Sequence, residues 1–421
     1  MSVAVGLDIG TSSIKVAEIR RVRGRYVLTK VGKRATPYGA VKSGVIVKRE
    51  EVAAELRALL RELKLRPRNV VTAVAGQSVI VRTLMLPPMS REEMAEAIRW
   101  EMDSQLPYAV DESVYDFDVI SETADESGNP LLKVGLVAAR KEIVTSFIDT
   151  LRLCRIVPKI IDVQPFAILR SLSMSECAAR SPGDQENNTR TRDGSSDRLS
   201  YLFDREAAAV LDDSYGASES AASSTEIEFG ASPTTTGYGE SVSHAGNCMV
   251  ALDIGAGTTD VVVNSDDDSI FTRIIPSGGD SITTAIADSL VCSREEAESL
   301  KRRVDWINGI DLQTGKPADK AAVSAIEVVV RNLASEIRRT IQFYNAQHPE
   351  RQIRGGVLSG GGAKLFGLAK YLSHQLEIPM TMGNPYARVD IDRRLLYASL
   401  QADAPIMAVS VGLALRGAEE L

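Results

Sequence analysis

A chain of 421 residues is long enough for two domains of ordinary size, each with its own core. Its net charge of −7 argues against a broad nucleic-acid surface, and no run approaches the ~18 uninterrupted apolar residues of a membrane span. Four scattered cysteines without C-x-x-C spacing, and three histidines outside the glycine-rich motifs, argue against a zinc hydrolase or a histidine-based triad. A general base in this chain must then be a carboxylate, or its chemistry must rest mainly on positioning.

The first stretch predicts a three-stranded meander over Val3–Ile9, Ile14–Arg20 and Tyr26–Val31, with Gly10 and Gly24 in the turns. It enters a strand almost at once, without the charged-then-apolar pattern of a secretory leader, so cytoplasmic residence is expected. Val52, Leu56, Leu59, Leu60 and Leu63 recur at helical spacing and predict a helix over Glu50–Lys64. Val70–Val74 and Val79–Leu84 read as short β-branched strands. Ser90 with Glu93 three residues on is a capping box, opening a helix that runs to about Leu106, where Pro107 stops it. A hairpin of Tyr115–Ile120 and Leu131–Ala138 is expected around Ser127-Gly128-Asn129, followed by helix Lys141–Leu153. Residues 36–155 are thus expected as one inserted α+β subdomain ahead of strand Lys159–Val163 and helix Phe166–Leu172.

Residues 173–246 are rich in Ser, Thr, Asp, Gly and Asn, a composition that cannot bury enough apolar area to offset ordering entropy. They read as a disordered tether with one short helix over Leu202–Leu211. A second meander then runs from Met249 to Ile275, followed by helices Ser281–Leu290, Ser293–Arg303 and Ala321–Tyr344. A strand beginning near Gly355 ends in Ser359-Gly360-Gly361-Gly362. Helix Leu365–Leu376 and a last helix, Pro405–Arg416, complete the order.

Two segments repeat one design. VGLDIGTSSIKVAE (5–18) and VALDIGAGTTDVVV (250–263) align at a constant offset that places Asp8 on Asp253, Gly10 on Gly255 and Ser13 on Thr258. In each, an Asp stands at the mouth of a strand, a Gly allows a sharp turn, and hydroxyls follow. A lone D-x-G is a common β-turn; two copies with matching flanks are not explained by turn chemistry. Two such loops facing each other would clamp a polyphosphate, with both Asp carboxylates on a hydrated divalent cation.

Strand–DIG–hydroxyl in each half, followed by a strand ending in Ser359-Gly360-Gly361-Gly362, resembles the actin/Hsp70/sugar-kinase superfamily. The finer features DIGTSSIKVAE, SREEMAEAIRWEMDSQLPY, PFAILR, DIGAGTTD, PSGGD, SGGGAKLFGLAKYL and VSVGLALRG resemble the PilM family of type IV pilus inner-membrane assembly proteins, related to the cell-division protein FtsA. That resemblance implies an α/β fold of duplicated actin-like, RNase H-like lobes around a nucleotide cleft. Residues 1–35 and 156–172 with a C-terminal helix 400–421 would form the first lobe, 36–155 its insert, and 247–399 the second lobe.

The resemblance also implies roles. Asp8 and Asp253 would stand near Mg2+. Gly10, Thr11, Ser12, Ser13 and Lys15 would form the first phosphate loop, and Gly255, Gly257, Thr258 and Thr259 the second. Gly279 would belong to the same nucleotide site, and Glu298 and Lys301 would contact the nucleoside of ATP, with Gly361 and Gly362 backing its adenine. Gln164 stands where the family usually has Glu; Gln orients water but cannot act as a base at neutral pH, so at most slow ATP hydrolysis is expected. The implied function is an ATP-binding cytoplasmic scaffold of type IV pilus or type II secretion assembly, at the inner face of the inner membrane. It would hold the tail of a PilN-like protein, alongside other inner-membrane platform proteins. The alternatives are a small-molecule kinase of the superfamily, which would need a catalytic Asp, and an FtsA-like filament-forming ATPase.

Overall fold

A computed structural model describes residues 2–125, 127–172, 248–264, 270–307 and 317–420. The meander forms as its alternation predicts: β1 (Ser2–Ile9), β2 (Ser13–Val22) and β3 (Arg25–Ala35) pair antiparallel in sequence. A small ladder, β4 (Val41–Lys42) with β5 (Val45–Ile46), leads into α1 (Arg49–Glu62), whose Val52, Leu56, Leu59 and Leu60 face the core. Next, β6 (Val70–Val74) joins the far side of β1 in parallel, with Val5 opposite Val70 and Leu7 opposite Thr72.

Four elements then leave this sheet: β7 (Val79–Leu86), α2 (Arg91–Gln105), β8 (Ser113–Ala124) and β9 (Pro130–Arg140), with strand order β7-β9-β8. The chain returns through α3 (Lys141–Leu153) and β10 (Pro158–Val163), which pairs in parallel with β6, and continues into α4 (Gln164–Leu172). The block expected as one insert over 36–155 is therefore divided. All five residues of β6 are buried, as a central parallel strand with both faces covered requires, and only 79–140 build a separate sheet.

The capping box at Ser90 forms, with its hydroxyl accepting from the Glu93 amide at 3.3 Å. The apolar face of α2 is not open to a partner: Met94, Ile98 and Met102 are buried with Phe117, Val134 and Leu136 of its own sheet.

The second lobe repeats the first. β11 (Cys248–Ile254), β12 (Thr259–Asn264) and β13 (Ile270–Ile275) form the meander. Helices α5 (Gly279–Leu290), α6 (Arg294–Arg303) and α7 (Pro317–Gln347) follow, then β14 (Ile353–Ser359), α8 (Leu368–Leu376) and β15 (Met380–Met382). Its strand order, β13-β12-β11-β14-β15, matches β3-β2-β1-β6-β10. The first sheet gains one more strand, β16 (Asp390–Ile391), on β3. Pro at the first position of α7 starts that helix four residues ahead of the expected Ala321. The expected helix over 365–376 is shortened by Gly367, whose φ of +70° precedes α8.

The expected last helix resolves into α9 (Tyr397–Asp403), a 3₁₀ turn and α10 (Ala408–Glu419). The run Tyr397–Glu419 is apolar and long enough to cross a membrane, with a mean hydropathy of 1.4. Its apolarity serves the core instead, since every residue from Ala408 to Ala418 is buried against the first lobe. A Cβ on Gly412 would stand 1.9 Å from the Ala167 carbonyl, so only glycine lets α10 approach α4 this closely. Beneath that contact Asp162 is fully buried between Arg170 and Arg416, each 3.2 Å away. The expected tether, 173–246 with its Leu202–Leu211 helix, lies outside the described residues.

Candidate functional site

Each meander carries the same turn at the mouth of its first strand. The Gly10 amide donates to the Ser13 carbonyl at 3.1 Å, and the Gly255 amide donates to Thr258 at 2.8 Å. The first turn is braced by Thr36, whose hydroxyl donates to the Gly10 carbonyl at 2.7 Å and whose amide donates to the Ser12 carbonyl at 3.0 Å. The two loops meet: a Cβ on Gly257 would lie 3.3 Å from the Thr11 hydroxyl. This is the facing arrangement that the sequence reading made a condition for clamping a polyphosphate.

Antiparallel register sets the charges. Asp8 pairs with Lys15 across β1–β2, and the Lys15 ammonium lies 2.7 Å from the Asp8 carboxylate, over the Gly10 turn. Asp253 occupies the corresponding place in the second lobe and is almost wholly buried. The Ser359 hydroxyl donates to one of its oxygens at 2.7 Å, and the Gln164 amide donates to the other at 2.9 Å. Gln164 comes from the first lobe, so this bond crosses the cleft. Burial raises the Asp253 carboxyl above its ordinary range, and the charge of Asp8 adds to that; the Ser359 bond, the Lys15 charge and the Gln164 bond oppose it.

The position matching Lys15 in the second lobe is Asp260, directly across the ladder from Asp253. Its carboxyl is fully buried and one oxygen, Oδ1, has no hydrogen-bond partner among the described residues. Burial first, then Asp253 and Asp8, push it well above the usual carboxylate range. Sequence reading passed over Asp260, although the constant offset between the repeats sets it opposite Lys15.

Glycine segments from two places stack behind the second loop. The Gly279 amide donates to the Gly255 carbonyl at 2.9 Å, and the Asp280 amide donates to Ala256 at 2.8 Å. A Cβ on Gly362 would stand 2.5 Å from the Ile254 side chain and 3.2 Å from the Gly255 carbonyl. Gly360 has φ +87° and turns the chain out of β14 toward Gly361. Beside this floor, Lys301 donates to the Gly279 carbonyl at 3.1 Å and to the Thr283 hydroxyl at 2.8 Å. It also pairs with Glu298, as their i, i+3 spacing implies. Burial would raise the Glu298 carboxyl, but the bonds from Lys301 and Thr283 outweigh it and hold it at about 2.

Fourteen of the expected positions thus gather in or beside one cleft; Gln164 joins them through Asp253, and Lys15 through Asp8. Thr259 departs from expectation. Its fully buried hydroxyl donates to the Ser277 carbonyl at 2.7 Å, latching β12 to the loop before α5 and not facing the cleft. Among the described residues, no group of three or more His, Cys, Asp or Glu forms a metal cage.

Two lobes of one topology, meeting at paired Asp–Gly turns, define an actin-like protein. The profile of the family described as type IV pilus assembly protein PilM matches residues 6–189 and 240–418. The chain belongs to that family. Its whole length is similar to the solved PilM-PilN type IV pilus biogenesis complex, with a TM-score of 0.72, 28% identity, and coverage of 99% of this chain and 98% of that one. It is also similar to the cell shape-determining protein Mbl of Bacillus subtilis (strain 168), 28% identical over 168 residues, 34% of this chain and 49% of that protein. The cell division protein FtsA of Pseudomonas aeruginosa is 26% identical over 169 residues, 37% of this chain and 40% of the relative. The chain spans half or less of these two curated relatives.

Proposed function

We propose that this chain is a nucleotide-dependent scaffold of type IV pilus assembly, binding ATP with Mg2+ between its lobes and holding the tail of a PilN-like protein. The observation that carries the nucleotide reading is the contact of the two Asp–Gly turns, one from each lobe, with the Gln164–Asp253 bond bridging them. Backbone amides and hydroxyls of Thr11, Ser12, Ser13, Gly257 and Thr258 would cradle phosphates on the turns that Gly10 and Gly255 close, and Lys15 would reach the terminal ones. Asp8 and Asp253 would face a hydrated divalent cation that takes its remaining ligands from water and phosphate, the arrangement Mg2+ favours. Gly362, pressed against Ile254 and Gly255, leaves backbone where an adenine ring would lie, with Glu298 and Lys301 beside the ribose.

Gln164 presents an amide whose nitrogen is held by Asp253, leaving its carbonyl to accept from a water. It lacks the basicity to remove a proton, so turnover would be slow. The PilN-like partner is supported by family membership and by full-length similarity to the PilM-PilN complex. Through that partner the scaffold would work at the cytoplasmic face of the inner membrane.

Calorimetric titration of the full chain with ATP, with and without Mg2+, tests the first half; one saturable site strengthened by Mg2+ is expected. Fluorescence anisotropy with the N-terminal peptide of a PilN-like protein tests the second. Absence of saturable binding in either nucleotide state, with folded protein, would overturn the scaffold reading.

A further inference from the structure

At the opposite end of the first lobe from Asp8, where β6 and β10 begin, lies a cavity of about 540 Å3. Five arginines ring it: Arg57 and Arg61 from α1, Arg66 and Arg68 from the loop before β6, and Arg155 from the turn after α3. All five are exposed, and among the described residues none pairs with a carboxylate. The nearest contacts of Arg57 and Arg61 are carbonyls, Leu153 at 2.9 Å and Arg57 at 3.3 Å. In a chain of net charge −7 this is a strong local reversal of sign.

The lining narrows the ligand. Its side chains are guanidinium donors over an apolar floor of Leu60, Leu65 and Ile156, without a carboxylate, amide or hydroxyl among them. An acidic peptide would bring backbone N–H donors that these side chains cannot receive. A phosphodiester brings acceptors only, and guanidinium forks match it two bonds at a time. The chain on either side of the lining segment 154–156 adds a second requirement: Leu153 is 43% and Val157 55% exposed. Exposed aliphatic side chains beside a cationic ring fit the headgroup zone of a bilayer, where arginine meets phosphate and apolar groups meet the first acyl carbons. A free phosphate would leave those side chains unused.

We propose that this cavity receives the phosphodiester headgroup of an anionic phospholipid, docking the first lobe end-on against a negatively charged bilayer. β1, β6 and β10 run parallel, so a membrane at their starting ends leaves Asp8 and the cleft facing away from it. The inference is independent of what the cleft binds.

The test is co-sedimentation of the full chain with vesicles of phosphatidylcholine alone, or with about one-third phosphatidylglycerol, at low and high salt. Binding is expected only with phosphatidylglycerol and should fall as salt rises. Replacing Arg66, Arg68 and Arg155 together by Gln should weaken it ~10-fold or more, whereas the same change at Arg303, Arg339 and Arg354 of the second lobe should leave it within ~2-fold. Val157→Ser should weaken vesicle binding without altering the salt dependence. Circular dichroism checks that each variant is folded, and the salt comparison needs no variant at all. Equal binding to neutral vesicles, equal loss in both triple variants, or no vesicle binding while inorganic triphosphate saturates the cavity would each overturn the proposal.

Discussion

Asp253 and Asp260 stand opposite each other across β11–β12 at the register position that Asp8 and Lys15 occupy across β1–β2. The same backbone thus presents an ion pair in one lobe and two acids in the other. The first arrangement is self-compensating. The second is not, because among the described residues Asp260 has no cation paired with it and one buried oxygen without a partner. An inward-facing pair of acids costs stability unless one carries a proton or a cation approaches.

Asp260→Asn should therefore stabilise the free protein, by at least ~1 kcal/mol at neutral pH. The folded state holds the Asp260 proton more tightly than the unfolded chain does, so stability falls as pH rises from the ordinary carboxylate range through the raised value. The gain from Asn should be smallest near pH 4 and grow as pH rises. Urea unfolding of both proteins at several pH values would measure it; a gain that is flat with pH would contradict the raised carboxyl.

In the cleft, Asp8→Ala or Asp253→Ala should weaken Mg-ATP binding ten-fold or more, about 1.4 kcal/mol. The two variants differ in a useful way. Loss of Asp253 also frees Gln164 and Ser359, whereas loss of Asp8 frees Lys15 alone. Calorimetry giving wild-type affinity for both would remove the two-loop site.

Beneath the first lobe, Asp162→Ala should cost ~3–5 kcal/mol, because Arg170 and Arg416 would be left buried without their shared carboxylate. Thermal unfolding measures this directly. A loss below ~1 kcal/mol would mean that Glu419 and Glu420, 3.6 Å from Arg170 and 3.1 Å from Arg416, already suffice.

The meanders and the phosphate-loop turns were legible because their information is local: period-2 alternation, a Gly after the Asp, and repetition at a fixed offset. Helix α3 was legible to the residue, since Ile143, Val144, Phe147, Ile148 and Leu151 recur at helical spacing along it. The sheet membership of Val70–Val74 was not. VVTAV announces a buried strand, but its partners, Val5 and Pro158, lie far away in sequence. Asp260 was missed for a related reason. A carboxylate after two threonines reads as solvated, and only the fold shows that its strand is covered on both faces. What covers the α2 face was not legible either, because Met94 and Ile98 look the same in sequence whether a partner or their own sheet covers them.

Glu298 should show the opposite pH dependence to Asp260. Its carboxyl lies at about 2 in the folded protein against an ordinary 4.5, so its contribution is fully present above about pH 4.5 and is lost as pH falls toward about 2. A third of the side chain remains exposed, so solvent screening limits that contribution to about 1 kcal/mol. Glu298→Gln should lower stability by that amount at neutral pH, with the difference shrinking as acid is added. It should also release Lys301, which then keeps only the Gly279 carbonyl and the Thr283 hydroxyl as acceptors. If the pair borders the ribose, Glu298→Gln should weaken ATP binding while sparing binding of inorganic triphosphate, which has no ribose to contact. Parallel titrations with the two ligands separate these effects: an equal loss for both would place the pair on the phosphates, and no loss for either would reduce it to a brace between α5 and α6.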